Sequence, residues 1–390
     1  MRKFSLPSSL LEVMKTIEDA GYEVWCVGGC VRDMIRNQVP DDYDLASSAP
    51  TEVISKLFPK VIPTGIKHGT VTVVCDMRHY EITRYRIDGE YSDSRRPDSV
   101  KFTSLIEEDL ARRDFTINAI AYHPERGIFD PFQGEKDIDK RIIRTVGDPD
   151  KRFKEDALRI LRAIRFSAKL GFEIETDTLQ SIKNLANTLR FVSVERKREE
   201  IIKALSSPAP EKLEVLLNSG GLEFIGLKNC DLSDLRLLEN DPLLRFSSLC
   251  LRANSDAEMC AKILKFSNAE IRKISSIERI LKEKKLTIGF AKENAEHIGL
   301  KGALKVAKAY GILHKINTEN LENALEKAIE NNEPFLLSQL NISGFDLKAL
   351  GFFGEEIGKV QRLLLKYVIE NPEFNQLELL KKKAQSHKTP

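Results

Sequence analysis

Apolar residues return every three or four positions between Leu10 and Ala20, which predicts an amphipathic helix, and Gly21 ends it. Glu23–Val27 turns continuously apolar after its first residue and predicts a buried strand, and Asp42–Ala46 predicts a second, short one. "SSAPTEVISKLFP" reads as a capped helix closed by Pro59. Alternation in "GTVTVVCDMRHYEITRY" predicts a hairpin of Thr70–Cys75 and Tyr80–Tyr85 around a turn near Asp76–Arg78. The polar run "RIDGEYSDSRRPDSVKF" predicts a loop, and "ARRDFTINAIAYHPERGIFDPFQG" further strands and turns. Beyond Gly147 the period becomes helical: Glu155–Lys169, Thr176–Leu189, Val194–Leu205, Ala209–Leu217, then a series to the end. No fixed-period repeat marks a solenoid. The pattern predicts an α/β head followed by an all-helical remainder.

Composition narrows the classes. A chain of 390 residues is too long for one ordinary core and predicts two to four structural units. A net charge of +2 gives no global field for polyanions, so a nucleic-acid partner must be held by local patches. Cys26, Cys30, Cys75, Cys230, Cys250 and Cys260 show no CxxC spacing, which points to reduced thiols. No apolar run approaches ~18 residues and no signal-peptide core opens the chain, so a cytoplasmic protein without membrane contact is expected. The terminal "ELLKKKAQSHKTP" is either a solvated end or an RNA contact.

Candidate chemistry concentrates in "VGGCVRDMIRNQVPDDYDLAS", from Val27 to Ser47. In a strand, Asp42 and Asp44 project from one face, and two adjacent carboxylates repel unless a cation lies between them. Hard oxygen ligands suit Mg²⁺, and Glu81 in "HYEIT" offers a third carboxylate. A bare DxD equally decorates a loop or caps a helix. The Gly28-Gly29 junction exposes backbone N–H groups to a phosphate, with Arg32 one turn inside the following helix. Alone, it is equally a tight turn. It is neither a P-loop nor a dinucleotide fingerprint, since GK[ST] and GxGxxG are both absent. A phosphate cradle and metal carboxylates within ~20 residues are the parts of a two-metal nucleotidyl transfer. In "FKEDALRILRAIRF", Asp156 and Arg159 are three apart on one helix face, and Arg162 and Arg165 continue a basic stripe. Out of context this is an ordinary amphipathic helix with an ion pair.

"GGCVRD", "DDYDLASSAPTEV", "GIKHGTVTV", "RRDFTINAIAY", "DPFQG" and "EDALRILRAIRF" resemble, in order and from about Gly21 to Leu205, the bacterial class II tRNA nucleotidyltransferases of the polymerase-β superfamily. These are the CCA-adding enzymes and their A-adding and CC-adding relatives. Bacterial poly(A) polymerases share the head, but Gly65–Val73 looks like the tRNA branch. The resemblance implies an α/β nucleotidyltransferase head with a mixed sheet over 1–146, then an all-α neck (147–206), body (207–310) and tail (311–390). It implies Mg²⁺ on Asp42 and Asp44, Glu81 as a third catalytic acid, and Gly28, Gly29 and Arg32 as a phosphate-contacting turn. Arg113, Asp114 and Asn118 match a nucleotide-contacting motif, although "RRD" alone is equally a surface salt-bridge cluster.

The resemblance assigns Asp156 and Arg159 to reading the incoming base, with Arg162 and Arg165 steadying them or reaching triphosphate oxygens. A carboxylate accepts from the exocyclic amine of cytosine or adenine while a guanidinium donates to the ring nitrogen, so one pair suits both. Uracil and guanine reverse that polarity and leave bonds unpaired, at about 1–3 kcal/mol each. The loop Ile87–Asp98 resembles a segment that CC-adding relatives lack; the other reading is an exposed hairpin loop. "SVERKREEIIKAL" resembles a later neck-helix motif and reads as structural support. The expected function is template-independent addition of CCA to the tRNA 3′ end at the acceptor arm, from CTP and ATP. The alternatives are A-addition to CC-ended tRNA, with a CC-adding partner enzyme, and poly(A) synthesis.

Overall fold

The structure, a computed structural model, describes residues 2–88 and 100–387. Its backbone contacts divide into two compact units, Met1–Ala204 with Asn218–Gly221, and Leu205–Leu217 with Leu222–Pro390.

The first unit is built on strands β1 (Val24–Val27), β2 (Asp44–Ser47), β3 (Val61–Gly65), β4 (Thr70–Cys75), β5 (Arg78–Arg84), β6 (Arg86–Asp88), β7 (Val100–Phe102), β8 (Ala121–His123) and β9 (Gly127–Phe129). Seven of them form one sheet in the order β3-β4-β5-β2-β1-β8-β9, and β6 pairs with β7 apart from it. The β2–β5 pairing is parallel and the other pairings of that sheet antiparallel, so the expected mixed sheet is present. Every residue of β1 is buried, as its unbroken apolar run requires of a central strand. The helix Ser8–Asp19 presses Leu10, Val13, Met14 and Ile17 towards β1 and β4. Trp25, Val27, Ala46, Tyr85, Leu110 and Val146 join one core cluster, which anchors β1 and β2 beneath the candidate residues.

Three local expectations change. The strand expected from Asp42 begins only at Asp44, so Asp42 lies in the approach to β2. The helix Thr51–Leu57 has no side-chain cap, because Pro50, which has no acceptor side chain, holds its N-cap position, and the serines before it are used elsewhere. Ser47 Oγ donates to the Glu23 carbonyl at 2.7 Å and Ser48 Oγ accepts from the Glu23 N–H at 2.9 Å, tying β2 to β1. The expected helix Glu155–Lys169 is two helices, Pro149–Glu155 and Leu158–Leu170. Asp156 between them is extended, with φ −145° and ψ 105°. Val194–Leu205 forms over its expected span. The loop expected at Ile87–Asp98 falls mostly on 89–99, outside the described residues.

The second unit is helical. Its terminal cluster gathers Leu340, Leu347, Phe352, Val360, Leu364, Val368 and Leu380. Lys292 is buried and donates to Glu333 at 2.8 Å and to the Ile369 carbonyl at 2.9 Å, joining three segments through one ammonium. All six cysteines are free; Cys26, Cys30, Cys250 and Cys260 are buried, and Cys75 and Cys230 are partly accessible. Among the described residues no helix is long and apolar enough to cross a membrane.

Candidate active site

The site grows from the ends of β1 and β2. β1 leads into Gly28, whose φ of 77° and ψ of −127° only glycine adopts without strain, and the helix Gly29–Ile35 starts at once. A Cβ on Gly28 would lie 2.8 Å from the Arg113 Nη1, so the corner and Arg113 are in contact. Arg113 is held by Asp109 at 3.2 Å, and Asp109 also takes two hydrogen bonds from Arg112 at 3.0 and 2.8 Å. Burial acts upward on the Asp109 carboxyl, but Arg112 and then Arg113 hold it below the usual carboxylate range. The buried Nε of Arg113 has no partner.

Asp44 and Glu81 face each other as register partners on the parallel strands β2 and β5, so their side chains leave the sheet on one side. Solvent reaches Asp44, yet desolvation is the largest influence on it. Desolvation, then the charges of Asp42 and Glu81, push its carboxyl up to about 6, against the pull of Arg113. The three acids therefore share one electrostatic neighbourhood. Their ligand oxygens are less tightly gathered than the ligand atoms of Glu12, Cys75 and Asp76, two exposed carboxylates and a half-buried thiol that lie within 4.8 Å of one another where the helix Ser8–Asp19 meets the β4–β5 turn. The soft thiol of that trio makes it a poor place for a hard cation.

Arg32 does not stand free. Its buried guanidinium donates Nε to Asp33 at 3.0 Å, Nη2 to Asp33 at 2.9 Å and Nη1 to the Asn118 Oδ1 at 2.7 Å. Asn118 Nδ2 in turn donates to Asp114 at 3.3 Å, and Asp114 receives the Nε of Arg162 at 2.7 Å. Burial pushes the Asp114 carboxyl upward, but Arg162 overcomes it and holds it below the ordinary range. Arg32, Asn118, Asp114 and Arg162 thus form one continuous polar chain. Of "RRD", Asp114 is buried in this network, while Arg112 and Arg113 are half-buried against Asp109. Arg32, Arg162 and Arg165 also crowd the Phe166 ring, with guanidinium carbons 5.5, 5.5 and 4.1 Å from its centroid.

The expected Asp156–Arg159 pair is not formed. Asp156 accepts the Leu158 N–H at 3.0 Å, a local turn that breaks the helix where the 3.6 period continues unbroken. Its carboxylate is clasped by Arg196 at 2.8 and 3.4 Å. Arg159 instead donates to Glu155 at 2.6 Å and to the Arg152 carbonyl at 3.1 Å. The spacing-three stripe is also divided: Arg162 goes to Asp114, and Arg165 to Glu200 at 2.5 Å. Sequence reasoning missed Asp109, Glu155, Arg196, Glu200 and Phe166. "VERKREE" carried a usable signal, since Arg196 and Glu200 are four apart and so share the helix face that meets Asp156 and Arg165.

Residues 24–144 match the family model described as the poly A polymerase head domain, and 171–226 the one described as a probable RNA and SrmB-binding site of polymerase A. A CCA-adding enzyme of Lactobacillus helveticus is 45% identical over 242 residues, which are 61% of this chain and 59% of that protein. One from Geobacillus sp. is 36% identical over 359 residues, covering 89% of this chain and 88% of that one. The first of these matches thus spans less than two thirds of its relative, the second nearly nine tenths. The Bacillus stearothermophilus CCA-adding enzyme in complex with CTP superposes with a TM-score of 0.81 at 30% identity, over 97% of this chain and 96% of that one. The Thermotoga maritima enzyme complexed with tRNA shares the fold at 21% identity and a TM-score of 0.69, over 98% of this chain and 97% of that one.

Proposed function

The chain belongs to the family of CCA-adding enzymes, class II tRNA nucleotidyltransferases, and on that premise we propose that it adds the terminal CCA to tRNA from CTP and ATP. The observation that carries this reading is the register pairing of Asp44 with Glu81, with Asp44 pushed up to about 6 beside Asp42 and Arg113. Adjacent oxygen-donor acids that raise one another's proton affinity fit a hard divalent cation; Asp42 and Asp44 are the residues that would hold Mg²⁺, with Glu81 as the third catalytic acid beside them. When bound, Mg²⁺ activates the RNA 3′-hydroxyl and neutralises triphosphate charge.

The protein's own groups do the remaining work. The Gly28 N–H is donated to the Ile120 carbonyl at 3.1 Å, so at this corner the Gly29 N–H is the one offered to the triphosphate, and Arg113, with its unpartnered buried Nε, supplies the cation beside it. Arg32, Asn118, Asp114 and Arg162 frame that pocket by rigid hydrogen bonds instead of contacting phosphate through open forks. Asp156 and Arg159 read the base after exchanging Arg196 and Glu155 for the nucleotide, while Arg165 steadies Phe166. In this reading 1–146 is the catalytic head, 147–206 the neck, 207–310 the body and 311–390 the tail. The body and tail hold the tRNA acceptor arm by shape and phosphates, in the cytoplasm.

Primer extension tests the reading with two tRNA transcripts, one ending at the discriminator base and one in CC, each given Mg²⁺ with CTP, ATP or both. The first transcript should become CCA-ended with both nucleotides and then stop. A single A on the CC-ended transcript alone would make the protein an A-adding enzyme dependent on a CC-adding partner. Long A tails on any RNA would make it a poly(A) polymerase.

A further inference from the structure

The face of the sheet that carries Asp44 and Glu81 continues past them towards the β3 edge. Glu81 pairs in register with Thr72 on β4, and Thr72 with Ile62 on β3, so Asp44, Glu81, Thr72 and Ile62 form one row across four strands. Register partners share a face, so these side chains leave the sheet on the side of the acids. The alternate residues Val71, Val73, Tyr80 and Ile82 turn to the other face, where they are buried. The β3–β4 register slips between Ile62 and Gly65, and there Thr64 Oγ1 lies 3.1 Å from Thr72 Oγ1. Thr72 is buried and Thr64 is exposed, so an accessible hydroxyl is oriented by a fixed neighbour. A hydroxyl donates once and accepts twice, so the bond to Thr72 leaves Thr64 capacity for a second partner. A second threonine pair, Thr70 with Thr83 at 3.0 Å, sits in the row that passes Ala46 instead of an acid.

The direction of the reaction selects this side of the acids. β1 pairs with β2 as far as Cys26 opposite Leu45, which leaves the Gly28 corner beside Asp44 on the β1 side. In-line displacement sets the attacking and leaving oxygens on opposite sides of the α-phosphorus. With the triphosphate at the Gly28-Gly29 corner, the attacking 3′-hydroxyl comes from the β5–β4 side. The nucleoside that carries it changes at each addition, from the discriminator to C and to C again. A site for that end holds what stays constant, the ribose, and reads no base edge. Ile62, 39% exposed at the outer end of the row, has no hydrogen-bonding side chain and imposes no base identity there. Neighbouring strands lie about 5 Å apart, roughly the span of two vicinal hydroxyl oxygens and one hydrogen bond. We propose that Thr64, oriented by Thr72, hydrogen-bonds the 2′-hydroxyl of the acceptor's terminal nucleoside and so selects an RNA end over a DNA end. The 2′-hydroxyl is the group that tells the two sugars apart. The inference rests on the nucleotidyl-transfer reading above and adds to it the recognition of the acceptor's sugar.

The test uses the full-length protein and two tRNA transcripts ending in CC, identical except that the terminal sugar is ribose in one and 2′-deoxyribose in the other. Both keep the 3′-hydroxyl, and addition of A from ATP with Mg²⁺ is read as kcat/KM for the RNA. Wild type should favour the ribose end by roughly tenfold, the worth of one hydrogen bond. Thr64→Val should lower kcat/KM for the ribose end by about tenfold and for the deoxyribose end much less, so that the preference collapses towards one. Thr64→Ser keeps the hydroxyl and should keep the preference. Thr83→Val, in the row beside Ala46, should keep it too. Absence of a preference in wild type, its survival in Thr64→Val, or an equal loss in Thr64→Ser or Thr83→Val overturns the proposal. A wild-type protein that extends neither transcript removes the nucleotidyl-transfer reading and the proposal with it. Equal extension of both leaves the activity standing and removes the proposal alone.

Discussion

At the scale of single residues, Asp44 is a group that the fold places at a disadvantage. Desolvation first, and then Asp42 and Glu81, raise its carboxyl from 3.8 to about 6. A raised acid binds its proton more tightly in the folded chain than in the unfolded one. Its contribution to stability without metal is therefore present at low pH and is lost as pH rises through about 6. Asp44→Asn removes the charge and keeps the shape. In EDTA the variant should melt roughly 2–4 °C higher at pH 8, for ~1 kcal/mol of relieved repulsion, yet incorporate no nucleotide. Wild-type incorporation should fall as pH drops below about 6, and added Mg²⁺ should recover part of it by competing with the proton. A flat rate from pH 5 to 8 would remove Asp44 from the reaction. Arg196 makes a second residue-scale case, because it occupies the carboxylate assigned to base reading. Because Asp156 must release Arg196 to read the base, Arg196→Ala should lower KM for CTP and ATP by about tenfold, on the order of one hydrogen bond to a charged group. Steady-state kinetics read this directly, and an unchanged KM would make Arg196 a merely structural support.

At the scale of elements, the site depends on junctions more than on regular stretches. Gly28 turns β1 into the helix Gly29–Ile35 at a backbone conformation closed to other residues, with Arg113 against it. Gly28→Ala should cost about 1–2 kcal/mol of strain and displace Arg113, raising KM for both nucleotides about tenfold while the fold persists. Steady-state kinetics beside circular dichroism would check it. The elements legible in the sequence were those whose pattern and punctuation agree. β1 was visible as an unbroken apolar run, the β4–β5 hairpin as an alternation, and Val194–Leu205 as a periodic stretch. The two-helix form of Glu155–Lys169 was not visible, because a side chain, Asp156, makes the break and the apolar period runs straight through it. The nearness of the Asp42 and Asp44 carboxylates was legible from spacing although only Asp44 lies in the strand, since their repulsion survives the shorter β2. Partners distant in sequence were illegible: Arg32 with Asn118, Asp114 with Arg162 and Arg165 with Glu200 are set by how the elements pack.

At the scale of the whole molecule, the chain keeps this chemistry in one of two compact units. The carboxylates and the arginine network are in the first, and the second is helical. The near-neutral total charge does not reveal this arrangement. The distribution of thiols has a practical consequence of its own. The four buried cysteines are shielded from reagents, and the two accessible ones fall one to each unit, Cys75 in the first and Cys230 in the second. Desolvation and then nearby acids raise both, with Cys230 pushed up to about 11, so few thiolates exist at neutral pH. Maleimide dyes should therefore couple slowly at pH 7 and faster with each step towards pH 9, stopping at two per chain as counted by mass spectrometry. The native protein is thus ready for paired fluorophores that would follow the distance between its two units through each round of nucleotide addition.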